Sequence, residues 1–247
     1  SAIMFVGIGG NTKNLNEIKT ICRENGLMFI LDASHMAGSR VDGVHVGDDC
    51  DLSIFSFQAV KNLPTGDSGM ICFRDSALDK KVRELAWLGI TKDTFSRSSE
   101  GSYKWDYSVN SVGMKYHGNS VIASLGIVAL NYLEADNSYR RKLANLYEEG
   151  LGVSFEIIKH EPESARHLFQ ISVEDRESYI SELASKNIFT GVHYKKNTAY
   201  SVYEPEELPL TDFYSDRVLS LPMHLHVTED EVKVISDTLN SYKSIRI

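Results

Sequence analysis

The sequence predicts an α/β fold with a mainly parallel sheet in a larger domain, followed by a smaller α/β domain. Three observations carry this. Short apolar runs at 2–6, 27–31, 52–57 and 69–73 alternate with stretches of helical periodicity. The runs are apolar throughout, as in parallel strands covered on both faces, and do not show the in-out alternation of half-exposed antiparallel strands. The composition then shifts near residue 151, after which strand and helix candidates begin again, so the large domain is expected at 1–150 and the small one at 151–247.

The elements follow in order. Residues 2–6 read as a buried strand, and Ser1 runs straight into it, as in a chain entered in the middle of a domain. Lys13 to Asn25 carries Leu15, Ile18, Ile21 and Cys22 at helical spacing and stops at Gly26, a residue suited to a left-handed cap. Strands are expected at 27–31, at Leu52 to Phe57 and at Gly69 to Phe73, then a helix from Ser76 to Leu88 ending before Gly89. Thr91 to Tyr103 is polar and aperiodic, which reads as an exposed loop, a lid or a subunit contact. From Ser120 a helical pattern runs through a break expected at Asp136-Asn137 into a second helix ending near Gly150. Beyond it, strands are expected at Arg166–Val173, Ile188–Tyr194 and Arg217–Leu221, with helices at Glu174–Lys186 and Thr228–Tyr242. The last of these opens with Thr228-x-x-Glu231, a capping-box pattern.

Charge and composition narrow the function. In 247 residues, 26 Lys and Arg stand against 34 Asp and Glu, a net charge of −8 with no basic run, which argues against a nucleic-acid partner. The longest apolar stretch, Val121 to Leu133, is interrupted by Ser124, Gly126 and Asn131 and falls short of the roughly 20 residues of a membrane helix. Cys22, Cys50 and Cys72 form no C-x-x-C pair, so neither a disulfide framework nor a metal site is expected, and the default compartment is the reducing cytoplasm.

The segment Gly7-Ile8-Gly9-Gly10-Asn11-Thr12 follows a strand and precedes a helix, yet Thr12 stands where a dinucleotide fingerprint needs its third glycine. Asp32 is more informative, because it directly follows the strand 27–31, at the edge of a parallel sheet where ligands bind. Taken singly it reads rather as a turn or cap aspartate, and Lys61, just past the strand 52–57, as a solvated surface lysine. Together, a lysine and an aspartate from two strand ends suit pyridoxal phosphate (PLP): the lysine forms a Schiff base, and the aspartate keeps the pyridine nitrogen protonated. His167 and the pair His224 and His226 read as structural, since the His-x-His spacing has no evident third metal ligand. His193 and Tyr194 read either as a packed strand-end pair or as ligand contacts.

Read with their neighbours, these residues become specific. Leu31-Asp32-Ala33-Ser34-His35-Met36-Ala37-Gly38, Phe55-Ser56-Phe57-Gln58-Ala59-Val60-Lys61-Asn62 and Gly66-Asp67-Ser68-Gly69-Met70 resemble the DegT/StrS (DegT/DnrJ/EryC/StrS) sugar aminotransferases. Gly113-Met114-Lys115-Tyr116-His117, Gly191-Val192-His193-Tyr194 and Leu219-Ser220-Leu221-Pro222-Met223 resemble later landmarks of that family in the same order. The resemblance implies a PLP enzyme of the aspartate-aminotransferase fold. Lys61 matches the Schiff-base lysine, Asp32 the partner of the ring nitrogen, His35 the residue against the ring, and Ser56 a phosphate contact. His117 takes the place of the family's asparagine that reaches the phosphate of the neighbouring subunit, while also reading as an ordinary loop histidine.

The implied reaction is amino transfer from an amino-acid donor, by resemblance glutamate, to a keto-sugar nucleotide in polysaccharide or lipopolysaccharide biosynthesis. A homodimer with shared active sites is implied as well. Family members carry the first strands of the large domain, the phosphate-cradling turn and a ring-stacking aromatic ahead of the part matched by Ser1–Gly10. The cofactor site is therefore expected to be incomplete without that segment. The other reading is a truncated or degenerate relative that dimerises or regulates without catalysis.

Overall fold

A computed structural model describes residues 1–91 and 107–246; the loop expected from Thr91 to Tyr103 lies, beyond Thr91, outside the described residues. In chain order the elements are β1 (Ala2–Val6), α1 (Leu15–Glu24), β2 (Met28–Asp32), β3 (Arg40–Val41), β4 (Val44–His45), β5 (Leu52–Ser56), β6 (Gly69–Phe73), α2 (Ser76–Ala86), α3 (Ser120–Leu130), α4 (Leu133–Leu151), β7 (Glu156–Ile157), β8 (Phe169–Ser172), α5 (Arg176–Ser185), α6 (Pro209–Arg217), β9 (Val218–Leu221) and α7 (Glu229–Arg246). They group into two compact units. The first comprises Ser1–Val6, Asn14–Ser34 and Val46–Asn131, and the second Gly7–Lys13, His35–His45 and Tyr132–Ile247.

The sheet of the first unit has the order β1-β2-β5-β6. β1 and β5 both run parallel to β2, and β6 returns antiparallel to β5. The mainly parallel sheet expected from the apolar runs is thus present, each strand within a residue or two of its expected place. Burial differs from the expectation of two fully covered faces. Phe29, Leu31, Ser53 and Phe55 are buried on one face, whereas Met4, Val6, Met28 and Ile71 on the other are exposed. Asp32 and Ser56 lie on that second face. α1 ends as read from the sequence, with Gly26 at φ 62. α2 is capped by Asp75, whose carboxylate accepts from Ala77 N–H at 2.8 Å.

In the second unit, β8 is the centre of the antiparallel sheet β7-β8-β9. Leu143 and Tyr147 of α4, Phe169 and Ile171 of β8, Leu183 of α5, Leu219 of β9 and Leu239 of α7 share one buried cluster. Each such side chain taken fully from water contributes about 1.5–3 kcal/mol. The Tyr147 and Phe169 rings stack at 4.8 Å, and the Tyr147 hydroxyl donates to Pro222 O at 2.9 Å, so the one polar atom of this large side chain is satisfied. The capping box forms: Glu231 N–H donates to Thr228 Oγ1 at 3.2 Å, and Thr228 N–H to Glu231 Oε2 at 2.7 Å.

Two expectations are corrected here, and one helix is added. The break between α3 and α4 falls at Asn131 and Tyr132, not at Asp136-Asn137, because Asn137 stays helical while its amide donates to Ala37 O at 2.9 Å. Ile188–Tyr194 is no strand: only an isolated bridge joins Gly191 to Ser220, and the His193 carbonyl is satisfied by the Gln170 amide at 3.0 Å. α6 was not anticipated, although Pro209 in its first turn and Arg217 in its last are favourable end residues.

His160 links two segments of this unit. Ser164 Oγ donates to Gly10 O at 2.9 Å, so the neutral His160 ring, 3.0 Å away through Nδ1, donates to that hydroxyl. Gly9, at φ 66, has no Cβ where one would meet the ring at 2.8 Å. Burial, with the Arg166 charge second, pushes the His160 imidazole down from 6.5 to about 4. The unfolded chain therefore binds the proton first as pH falls, and stability is lost between about pH 6.5 and pH 4. His160→Gln is expected to lower the urea midpoint at pH 7 modestly and to lose on the order of 1–2 kcal/mol less than the parent between pH 7 and pH 5. Parallel losses in the two proteins would show that His160 does not titrate in this window.

Candidate active site

β2 and β5 deliver their C-terminal ends side by side, with Asp32 paired to Ile54 and the ladder continued by Ala33 N–H donating to Ile54 O at 2.8 Å. At that edge the Asp32 Oδ1 atom accepts from both donors of Ser34, the N–H at 3.0 Å and the hydroxyl at 2.5 Å. This Asx turn fixes the carboxylate's orientation and commits one oxygen only. Among the described residues, Oδ2 takes no hydrogen bond.

β5 ends at Ser56, whose hydroxyl accepts a long bond from Gln58 N–H at 3.5 Å. A tight turn follows, in which Gln58 O accepts from Lys61 N–H at 2.9 Å and the Gln58 side chain from Val60 N–H at 3.1 Å. Asn62 and Leu63, next in the chain, are buried. Lys61 is half-buried. Desolvation pushes its ammonium below the ordinary lysine value of 10.5, while the Asp32 charge pulls in the opposite direction, and burial prevails. Among the described residues it makes no ion pair. The structure thus brings Asp32 and Lys61 within electrostatic reach, with Ser56 on the same sheet face as Asp32.

The other candidates are placed differently. His117 also belongs to the first unit, where it is exposed, with its ring edge-on to Trp87 at 4.0 Å and its N–H donating to Ala86 O at 3.2 Å. Among the described residues, no hydrogen bond or ion pair joins it to Asp32, Ser56 or Lys61. His35 belongs to the second unit. Its Nδ1 accepts from Gly9 N–H at 3.2 Å, which puts the proton of the neutral ring on Nε2, 3.4 Å from the Tyr194 hydroxyl. The His167 ring lies 4.3 Å from it. His193 Nδ1 is 2.8 Å from Ser220 Oγ. His224 and His226 sit 6.2 Å apart, and among the described residues no group of three or more His, Cys, Asp or Glu is placed to hold a metal ion.

A family model for the DegT/DnrJ/EryC1/StrS aminotransferase family matches residues 1–240. The chain belongs to that family. Among the relatives of this DegT-family chain is a dTDP-4-dehydro-2,3,6-trideoxy-D-glucose 4-aminotransferase from Saccharopolyspora spinosa, 30% identical over 245 residues, covering 96% of this chain and 64% of that protein. The uncharacterized protein MJ1066 from Methanocaldococcus jannaschii is 31% identical over 264 residues, covering 99% of this chain and 66% of that one. The chain therefore spans a little under two thirds of the length of these relatives. Among solved structures, the aminotransferase TlmJ from Streptoalloteichus hindustanus superposes with a TM-score of 0.89 at 26% identity, covering all (100%) of this chain and 67% of that one.

Sequence reasoning picked out Asp32, Ser56 and Lys61 but not the groups that hold them. Ser34 was legible as the third residue of an Asp-x-Ser turn. Thr65 and Ser68, three residues apart with hydroxyls 2.5 Å from each other at the base of the Lys61 loop, gave no such signal, because the bonds that set their place, to the backbone of Phe57, come from the start of the loop.

Because the Asp32 charge raises the proton affinity of Lys61 and burial lowers it, Asp32→Asn is expected to shift the Lys61 amine further down. The check is the pH profile of its modification by an amine-selective reagent, read by peptide mass spectrometry. An upward shift or none would show that the two groups are not coupled.

Proposed function

We propose that the protein is a PLP-dependent sugar-nucleotide aminotransferase, taking the amino group from an amino acid, glutamate by family likeness, and delivering it to a keto-sugar nucleotide. The observation that carries this is the Asp32–Lys61 pair: a carboxylate with one oxygen uncommitted, and an amine whose ammonium form is weakened by burial. The donor set fits the cofactor. Lys61 offers an amine for its aldehyde carbon, Asp32 Oδ2 a carboxylate oxygen for its ring nitrogen, and Ser56 a hydroxyl for its phosphate. His35 is assigned to the ring, and His117, as in the family's shared sites, to the phosphate of a partner subunit in a cytoplasmic homodimer. The S. spinosa relative, named for a dTDP keto-sugar, supports the acceptor class.

PLP, when bound, supplies the electron sink that makes an amino acid's α-hydrogen acidic. The chain's own residues supply the rest. With PLP bound, Lys61 would take the proton from the donor's α-carbon and deliver it to the cofactor, a task that a lowered amine proton affinity favours. Asp32 holds the proton on the ring nitrogen, and Ser34 keeps that carboxylate aimed. The anionic partner counts most where water is excluded.

Borohydride reduction of the protein with PLP is expected to fix the cofactor to Lys61, as found by peptide mass spectrometry. Attachment at another lysine, unaffected by Lys61→Ala, would overturn the assignment. Asp32→Asn is expected to retain PLP but to slow transamination about a hundredfold or more, roughly 3 kcal/mol of transition-state stabilisation. Near-normal turnover would reduce Asp32 to a turn residue. A protein that takes up no PLP and transfers no amino group would favour the non-catalytic dimerisation or regulatory role.

A further inference from the structure

The segment between β5 and β6 is closed at its base by a set of bonds that converge on one residue. Phe57 N–H donates to Ser68 O at 2.8 Å, continuing the antiparallel ladder one step beyond Ser56 and Gly69. Thr65 N–H donates to Phe57 O at 2.8 Å, and the Thr65 hydroxyl donates to the same carbonyl at 3.2 Å. With its proton so committed, Thr65 Oγ1 is the acceptor for the Ser68 hydroxyl at 2.5 Å. The hydroxyls therefore form a directed chain from Ser68 through Thr65 to Phe57 O. Thr65 is only 5% exposed, and its methyl group faces Gly126 of α3, where a Cβ would lie 3.4 Å from it. Gly69 keeps the two strands close, since a Cβ there would stand 2.7 Å from Phe55 O.

We propose that Thr65, buttressed by Ser68, is a positioning residue for Lys61: its hydroxyl staples the two ends of the Lys61 loop so that the amine is held at the sheet edge beside Asp32. This rests on the reading of Lys61 as the cofactor lysine. A loop of this length, tethered only by its strands, samples many arrangements, and a displacement of about 1 Å at a catalytic group can cost a hundredfold in rate. The staple acts at the loop's base, Asn62 and Leu63 within the loop are buried, and the Gln58 turn sets the direction in which Lys61 leaves the backbone.

The test compares Thr65→Val, which keeps the shape and removes both the donor and the acceptor, with Thr65→Ser, which keeps the hydroxyl, and with Ser68→Ala. The first readout needs no cofactor: the lysines are reductively methylated with carbon-13, the Lys61 signal is assigned by its loss in Lys61→Arg, and its titration is followed by NMR. Thr65→Val is expected to raise the Lys61 titration point by on the order of half a unit as water gains access, and Thr65→Ser to leave it at the parent value. The second readout is steady-state transamination with PLP. Thr65→Val is expected to lower kcat about tenfold with KM for the amino donor changed less than about twofold, with Ser68→Ala intermediate and Thr65→Ser close to the parent. A parent-like titration point and kcat in Thr65→Val would overturn the proposal, as would a Thr65→Ser protein as impaired as Thr65→Val, which would assign the effect to methyl packing on Gly126. If the parent protein shows no transamination, the proposed function fails and the Lys61 titration alone decides the staple.

Discussion

The parallel pairing of β2 with β5 is the constraint on which the rest of the first unit depends. Side-by-side parallel strands end at the same edge of a sheet, so residues that follow them are delivered to one place regardless of their separation in sequence. Here that pairing brings Asp32 level with Ile54 and sets Ser56 just beyond, on the same face. The antiparallel return through β6 then determines where Lys61 goes, because the loop that carries it must close back onto the next strand.

Electrostatics turns this placement into chemistry. A lysine at a water-exposed edge would be an ordinary ammonium ion, and an unsupported aspartate would turn freely. Burial weakens the charged form of Lys61 while the nearby Asp32 carboxylate limits the effect, so the amine is tuned by two opposed causes of different origin. Ser34 spends both of its donors on one carboxylate oxygen. Burial and a neighbouring charge tune the amine, and a turn contact orients the carboxylate.

How much of this was legible depended on the range of the interaction. The strands of the first unit read directly from the sequence because each is a short run of apolar residues, although the second face of the sheet is exposed and not covered as such runs imply. The capping box of α7 read directly because it is complete within Thr228 to Glu231. The β3–β4 hairpin went unread, its strands being too short to show a period, although Asp42-Gly43 carries the signal of a tight turn and both residues have positive φ, 52 and 77. The supposed strand at 188–194 had the right composition, but side chains from distant segments, Gln170 and Ser220, settle its bonding. The site divided in the same way. Asp32 and Lys61 stood out because strand ends are readable, while the partners of His35, at Gly9, His167 and Tyr194, are fixed by tertiary structure alone.

The central claim is that Asp32 holds a proton on the cofactor's ring nitrogen while Lys61 works beside it. Nitrogen-15 NMR of the protein with ring-labelled PLP reads that proton directly. A pyridinium signal in the parent protein that moves to the neutral-pyridine position in Asp32→Asn is the result expected. A neutral ring nitrogen in the parent, or a pyridinium signal that survives Asp32→Asn unchanged, would contradict the account.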